Sequence, residues 1–185
     1  MMLATHFKKL SKKDSGVAAV EFALCLPLLI LLYLSSFSIV DYLRSIRQVT
    51  NSMNTIAELS SRRIDLDDGE RDALFSTAEA LLDTSAEGVE MDLSITSVVN
   101  TADEADAVEY EVRWSEGTSS SITVSTGELP SFVLPELSRN ESVILIAVRA
   151  EITPSIVAFD LPSSIEITRY AVRKPRFVSE VQYLD

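Results

Sequence analysis

The sequence is poor in the residues that do chemistry. It holds one cysteine, one histidine, five glycines and five lysines in 185 residues. Cys25 lies inside a long apolar run and His6 lies in the N-terminal segment before it. Beyond residue 40 there is therefore no disulfide, no Ser-His-Asp or Cys-His arrangement, and no nitrogen or sulfur ligand set for zinc. No glycine-rich phosphate loop and no G-x-S-x-G turn is present. Carboxylates are plentiful, 28 in all, so their presence selects no acid–base pair. The expectation is a protein that is not an enzyme, with no cofactor and no metal.

Cations are scarce as well. The net charge is −12, and four of the five lysines fall in the first 13 residues, leaving only Lys174 outside them. A surface this acidic argues against DNA, RNA or anionic lipid as partners of the bulk of the chain.

What the sequence does have is one long hydrophobic run, Gly16 to Val40, GVAAVEFALCLPLLILLYLSSFSIV. Glu21 is its only charged residue. As a helix, the 24 residues from Val17 would extend ~36 Å, enough to cross a hydrocarbon core ~30 Å thick. Lys8, Lys9, Lys12 and Lys13 precede it, which sets the N-terminus in the cytoplasm and the remainder outside. The run is too long for a cleaved secretory signal, and Ser35-Ser36-Phe37-Ser38 makes a poor cleavage site within it. Cys25 reads as a small hydrophobe. Pro27 removes one helical hydrogen bond and should kink or loosen the helix. An ionised carboxylate inside a membrane helix costs ~2.5–3.5 kcal/mol, so Glu21 either reaches the interface or has a partner.

The order KKDSG, then VAAVEFALCLP, resembles the processing site of type IV prepilins: basic residues, a glycine, a cut, and a hydrophobic helix with Glu as its fifth residue. The wording VEFAL-x-LPLL is similar to the TadE/TadF family of minor pilins (pseudopilins) from tight-adherence, or Flp, pilus systems. The resemblance runs from about Lys12 to Tyr42. It implies a leader, residues 1–16 with Lys12 and Lys13, cut by a prepilin peptidase between Gly16 and Val17. It also implies that Glu21 of one chain meets the new terminal amine of a neighbour, a pairing that sets register between helices. The implied partners are the peptidase, other minor pilins, the major Flp pilin and the inner-membrane assembly platform. The implied place is the bacterial inner membrane, single-pass, with the C-terminal domain periplasmic or carried into the pilus.

After Val40 the helical pattern continues. Ile39, Leu43, Ile46, Val49, Met53, Ile56 and Leu59 recur at spacings of three and four, opposite Asp41, Arg44, Arg47, Gln48, Asn51 and Asn54. One helix from about Val17 to Ser61 is expected, membrane-spanning over 17–40 and amphipathic over 41–62. Arg62 to Asp65 ends it. Asp67, with Glu70 three residues on, has the form of a capping box for a second helix reaching about Leu82. A calcium loop from Asp65 fails on spacing, since glycine falls fifth and Ser76 twelfth.

Beyond Gly88 the period becomes two. Val89, Met91, Leu93 and Ile95 alternate with polar residues, as do Val108, Tyr110, Val112 and Trp114, with Trp114 expected in the core. Ser121–Ser125 reads as a further strand after a loop at 115–120. Gly127 to Asn140, carrying Phe132, Val133 and Leu134, reads as a loop. Val143 to Val148 is apolar without alternation, which marks a strand covered on both faces. Pro154 to Pro162 reads as a surface loop exposing Ile156, Val157 and Phe159. Ile165–Arg173 is the last clear strand, followed by Lys174-Pro175-Arg176-Phe177, an ending similar to tails of the same family.

The fold class expected is α+β: a pilin-like long N-terminal helix packed against an antiparallel sheet of about five strands, with residues 63–185 as one exported domain. The expected function is pilus biogenesis: priming or capping the pilus, or linking it to the assembly platform, in support of adhesion. Two alternatives are a pseudopilin of a related secretion machine and an unprocessed, signal-anchored periplasmic scaffold or binding protein.

Overall fold

A computed structural model describes residues 3–82, 89–102, 108–130, 134–153 and 164–184, with side chains from Gly16 onward. Helix α1 (Leu3–Ser61) is unbroken through Pro27 and begins well before Val17, taking the backbone from Leu3 into the same helix. A three-residue strand β1 (Asp65–Asp67) leads into α2 (Asp68–Leu81). Four longer strands follow, β2 (Val89–Asn100), β3 (Tyr110–Gly117), β4 (Ser142–Ile152) and β5 (Ile165–Arg173), and then the short β6 (Gln182–Leu184).

The α+β class and the antiparallel sheet stand as expected. The sheet has four strands in the order β3-β2-β4-β5, and β1 pairs with β6 in a separate parallel pair. The strand read at Ser121–Ser125 is instead a turn running into a 3-10 turn, Thr126–Glu128. Its hydroxyl-rich sequence bonds locally. Thr123 Oγ1 donates to the Ser120 carbonyl, and the Ser119 and Ser121 hydroxyls share a hydrogen bond, which satisfies polar groups without a ladder.

β4 explains the architecture. It lies between β2 and β5, and its residues from Ser142 to Val148 are all buried. Ile144, Ile146, Val148 and Ala150 face α1 and α2, in a core with Val49, Met53 and Ile56 of α1 and Leu74, Phe75 and Ala78 of α2. Val143 and Leu145 face the other way, into a second core with Val98, Leu137 and the half-buried Tyr110, Val112 and Leu134. The run without alternation is thus a strand with apolar cover on both sides. Each fully buried aliphatic contributes ~1.5–3 kcal/mol. Leu134 belongs to the cover of this second core, whereas Phe132, Val133 and the stretch with Ile156, Val157 and Phe159 lie outside the described residues.

β3 departs from its expected alternation. Ser97 pairs with Trp114 but Val98 pairs with Val112, so Arg113 is an extra residue, a β-bulge. The bulge sends Trp114 to the helix-side core while Tyr110 and Val112 serve the opposite one. Arg113 itself turns outward to Glu111 (3.1 Å) and Glu180 (3.6 Å).

The C-terminal segment closes the helix side. Trp114 Nε1 donates to the Val181 carbonyl (2.8 Å), Val181 is fully buried, and the Trp114 and Tyr183 rings pack tilted to each other with centroids 5.5 Å apart. The basic ending clamps the top of α1. Arg173 donates to Asn54, Arg176 pairs with Glu58 (2.6 Å) while its backbone N–H donates to the Ser61 carbonyl (2.8 Å), and Lys174 pairs with Glu141.

Candidate functional site: the exposed half of the long helix

Helix α1 changes environment along its length. From Val49 to Ser61 it is a core helix, with Val49, Ser52, Ile56, Ala57 and Ser60 fully buried. The seam expected at 39-43-46-49-53-56-59 is only partly the buried face. Ile39, Leu43 and Leu59 are exposed, and Ser45, Ser52, Ala57 and Ser60 take their place. Small residues let the helix sit close to the sheet and α2. Ser52 Oγ donates to the Ala78 carbonyl (2.9 Å), while Ser38, Ser45 and Thr50 turn their hydroxyls onto carbonyls one turn back, at Leu34, Asp41 and Ile46. Such back-bonding satisfies a hydroxyl in an apolar setting.

Toward the N-terminus the cover ends. Phe22, Leu24, Leu28, Leu32 and Tyr33 are each at least 60% exposed, a surface that water would not tolerate in so long a run. This is the one helix in the described residues long and apolar enough to cross a membrane. Cys25 is a free thiol on the same bare surface.

The structure places the site residues expected from sequence on this bare part. Gly16 is exposed, and a Cβ built there would meet nothing within 4 Å, so no packing demands glycine at that position. Val17 is 59% exposed, and Glu21 stands exposed four residues on, one turn along the same helical face. Among the described residues all three stand open to solvent. Lys12 and Lys13 lie in helical backbone whose side chains are outside the described residues.

Elsewhere in the domain the charged groups serve packing. Arg71 of α2 donates to Asp68 (2.8 Å), Asp72 (2.9 Å), Glu116 (3.1 Å) and the Tyr183 hydroxyl (3.0 Å), and Tyr183 in turn donates to Asp68. The Asp72 hydrogen bond, ahead of the other acceptors, raises the guanidinium further above its usual range. Burial first, then donation to Asp68, pushes the Tyr183 phenol up to about 12. Asp67 caps α2 by accepting from the Glu70 N–H (2.7 Å), but Glu70 turns its own carboxylate to Arg63, so the cap is one-sided. Among the described residues no group of His, Cys, Asp or Glu is arranged to hold a metal ion. Sequence reasoning missed the Arg71–Tyr183 cluster, whose members come from α2, β3 and β6 and share no local pattern.

A family model described as TadE-like protein matches residues 16–51. The match begins at Gly16, covers the whole bare stretch and ends where α1 enters the core. It bears out the resemblance over those residues, about a fifth of the chain. No curated protein and no solved structure matches the chain.

Proposed function

We propose that the protein is a minor pilin or pseudopilin of a Tad (Flp) pilus, held in the inner membrane by residues 17–40 with residues 63–185 on the periplasmic side. The observation that carries this reading is the bare, TadE-like helix that bears Gly16, Val17 and Glu21 on a surface the chain itself does not cover. A prepilin peptidase cuts between Gly16 and Val17. In the full-length chain this bond lies within a helix, so the helix must open locally for a protease to reach the backbone. Glycine favours that opening, since it weakens a helix by ~1 kcal/mol relative to alanine and presents no side chain.

The cut frees an amine at Val17 with an ordinary pKa of ~8, cationic at neutral pH. Glu21 of a neighbouring subunit pairs with it. Each charge is costly to bury alone in an apolar setting, and the pair fixes helix register where the two meet. Held in the bilayer, the subunit is stored until neighbouring helices replace lipid contacts, and it then primes or caps the pilus or links it to the assembly platform. Glu21→Val is the test. The variant should still be processed but should fail to co-purify with the pilus or with the other minor pilins. Normal incorporation of the variant would remove Glu21 from the mechanism.

A further inference from the structure

The four-stranded sheet has two edges, β3 and β5, and the fold treats them differently. β3 carries the bulge at Arg113, and the turn after it lies along its outer side. There the Val112 N–H donates to Thr126 Oγ1 (3.1 Å), and the Ser115 hydroxyl accepts from the Val124 N–H (2.9 Å). Bulges and covering loops are devices that stop an edge from pairing further. β5 has neither. It pairs with β4 over nine residues without a break in register, and it contains no proline and no lysine. Its backbone groups can be assigned to sides. Successive residues of an antiparallel strand turn their N–H and C=O groups alternately to one neighbour and the other. Leu93 turns both groups toward Thr118, on the β3 side of β2. Carried through the register 94↔147 and 148↔169, that alternation points the groups of Glu166, Thr168 and Val172 out of the sheet. The Val172 carbonyl accordingly accepts from the Arg173 side chain (2.9 Å). The N–H groups of these three residues have no backbone partner among the described residues.

The side chains say what kind of strand fits. Arg169 and Arg173 are exposed and share the α1 side of β5 with Ile167 and Ala171. Arg169 has no carboxylate partner among the described residues, and Arg173 donates to the neutral oxygens of Val172 and Asn54. Antiparallel pairing of one β5 with another over its whole length would set Arg169 opposite Arg169, and like charges directly opposite destabilise a sheet. It would also point the two α1 helices in opposite directions, so two chains anchored alike in one membrane do not meet that way. We propose that the β5 edge takes, as an added strand, an extended segment of a different protein. That segment carries two carboxylates four residues apart on the α1 side, opposite Arg169 and Arg173. Main-chain hydrogen bonds to Glu166, Thr168 and Val172 hold it, and the charge-assisted bonds of the two guanidiniums select it. The inference rests on the reading of α1 as a membrane span only in setting aside a second copy.

The test uses the full chain in detergent micelles, with amide hydrogen exchange read residue by residue. The probe is an eight-residue peptide of alternating valine and threonine, with glutamate in place of threonine at its second and sixth positions. The peptide should slow exchange at Glu166, Thr168 and Val172 at least several-fold. Thr168→Pro removes an outward N–H and leaves the ladder to β4 in place. It should abolish the slowing while Ile167, Arg169 and Ala171 stay protected, which is the folding check. Arg169→Glu/Arg173→Glu, at two exposed side chains, should shift the preference to the same peptide with lysine for glutamate. No slowing in the unaltered chain, or slowing that survives Thr168→Pro, overturns the open edge. An equal response to both peptides, before and after the charge reversal, overturns the acidic partner. Slowing that appears without peptide and grows with protein concentration makes the occupant a second copy, and the proposal falls. Flotation of the chain with lipid vesicles reports the span separately, so failure of the span and failure of the edge are told apart.

Discussion

Ile56 and Leu59 stand three residues apart on α1, yet Ile56 is fully buried between helix and sheet while Leu59 is 38% exposed. The difference gives a direct test of which face of the helix the core uses. Ile56→Ala should lower stability by ~2–5 kcal/mol, the cost of a cavity in a core that relaxes only in part. Leu59→Ala should cost less than about 1 kcal/mol. Urea unfolding followed by the fluorescence of Trp114, the only tryptophan, separates them. Equal losses at both sites would mean the buried face is the apolar seam read from sequence rather than the serine-lined one. Tyr183 offers a second test at this scale. Its phenol titrates near 10 in an unfolded chain and about 12 in the fold, so the fold favours the neutral form. The stability it contributes is complete below pH ~10 and is lost as pH rises from ~10 toward 12. Tyr183→Phe should flatten the fall of stability over that window while removing a hydrogen bond worth ~1 kcal/mol at neutral pH. Identical alkaline profiles for the two proteins would contradict the assignment.

At the scale of elements, what was legible in sequence followed the length of the pattern. The long helix and the second helix with its Asp67 cap carry a helical period, β2 an alternation, and β4 an unbroken apolar run, and these elements, with β5, form where expected. The β1–β6 pair was not legible, because three residues such as Asp65-Leu66-Asp67 carry no period and their pairing spans the whole domain. Nor was the bulge at Arg113, since an inserted residue leaves the local alternation intact and changes only which face the following residue meets. The seam on α1 misleads because large apolar residues alone mark it, whereas close packing against the sheet selects serine and alanine for size. The family motif is legible throughout, being local sequence on the half of the helix that stays largely exposed. The closing segment makes its own prediction. Removal of residues 177–185 would strip away Val181, the Tyr183 ring on Trp114, and the partner of β1. A red-shifted Trp114 emission and a stability loss of about 3 kcal/mol or more are expected. An unchanged emission maximum would show that the segment is not part of the core.

As a whole molecule, the chain divides its longest element between a packed half and a bare one. The outer half of α1 is consumed by a two-sided core built on β4, and the inner half is left bare, apolar and TadE-like. The same helix thus joins a packed domain to a bare apolar surface long enough to cross a membrane. Gly16, Val17 and Glu21 sit exposed on that surface, where the processing and assembly roles proposed for them need them. The most direct measurement is the N-terminal residue and intact mass of the protein from its native membranes, with and without the host's prepilin peptidase. A start at Val17 that depends on the peptidase is the predicted result. A chain that keeps its leader in the presence of the active enzyme would contradict the account and leave a membrane-tethered scaffold in its place.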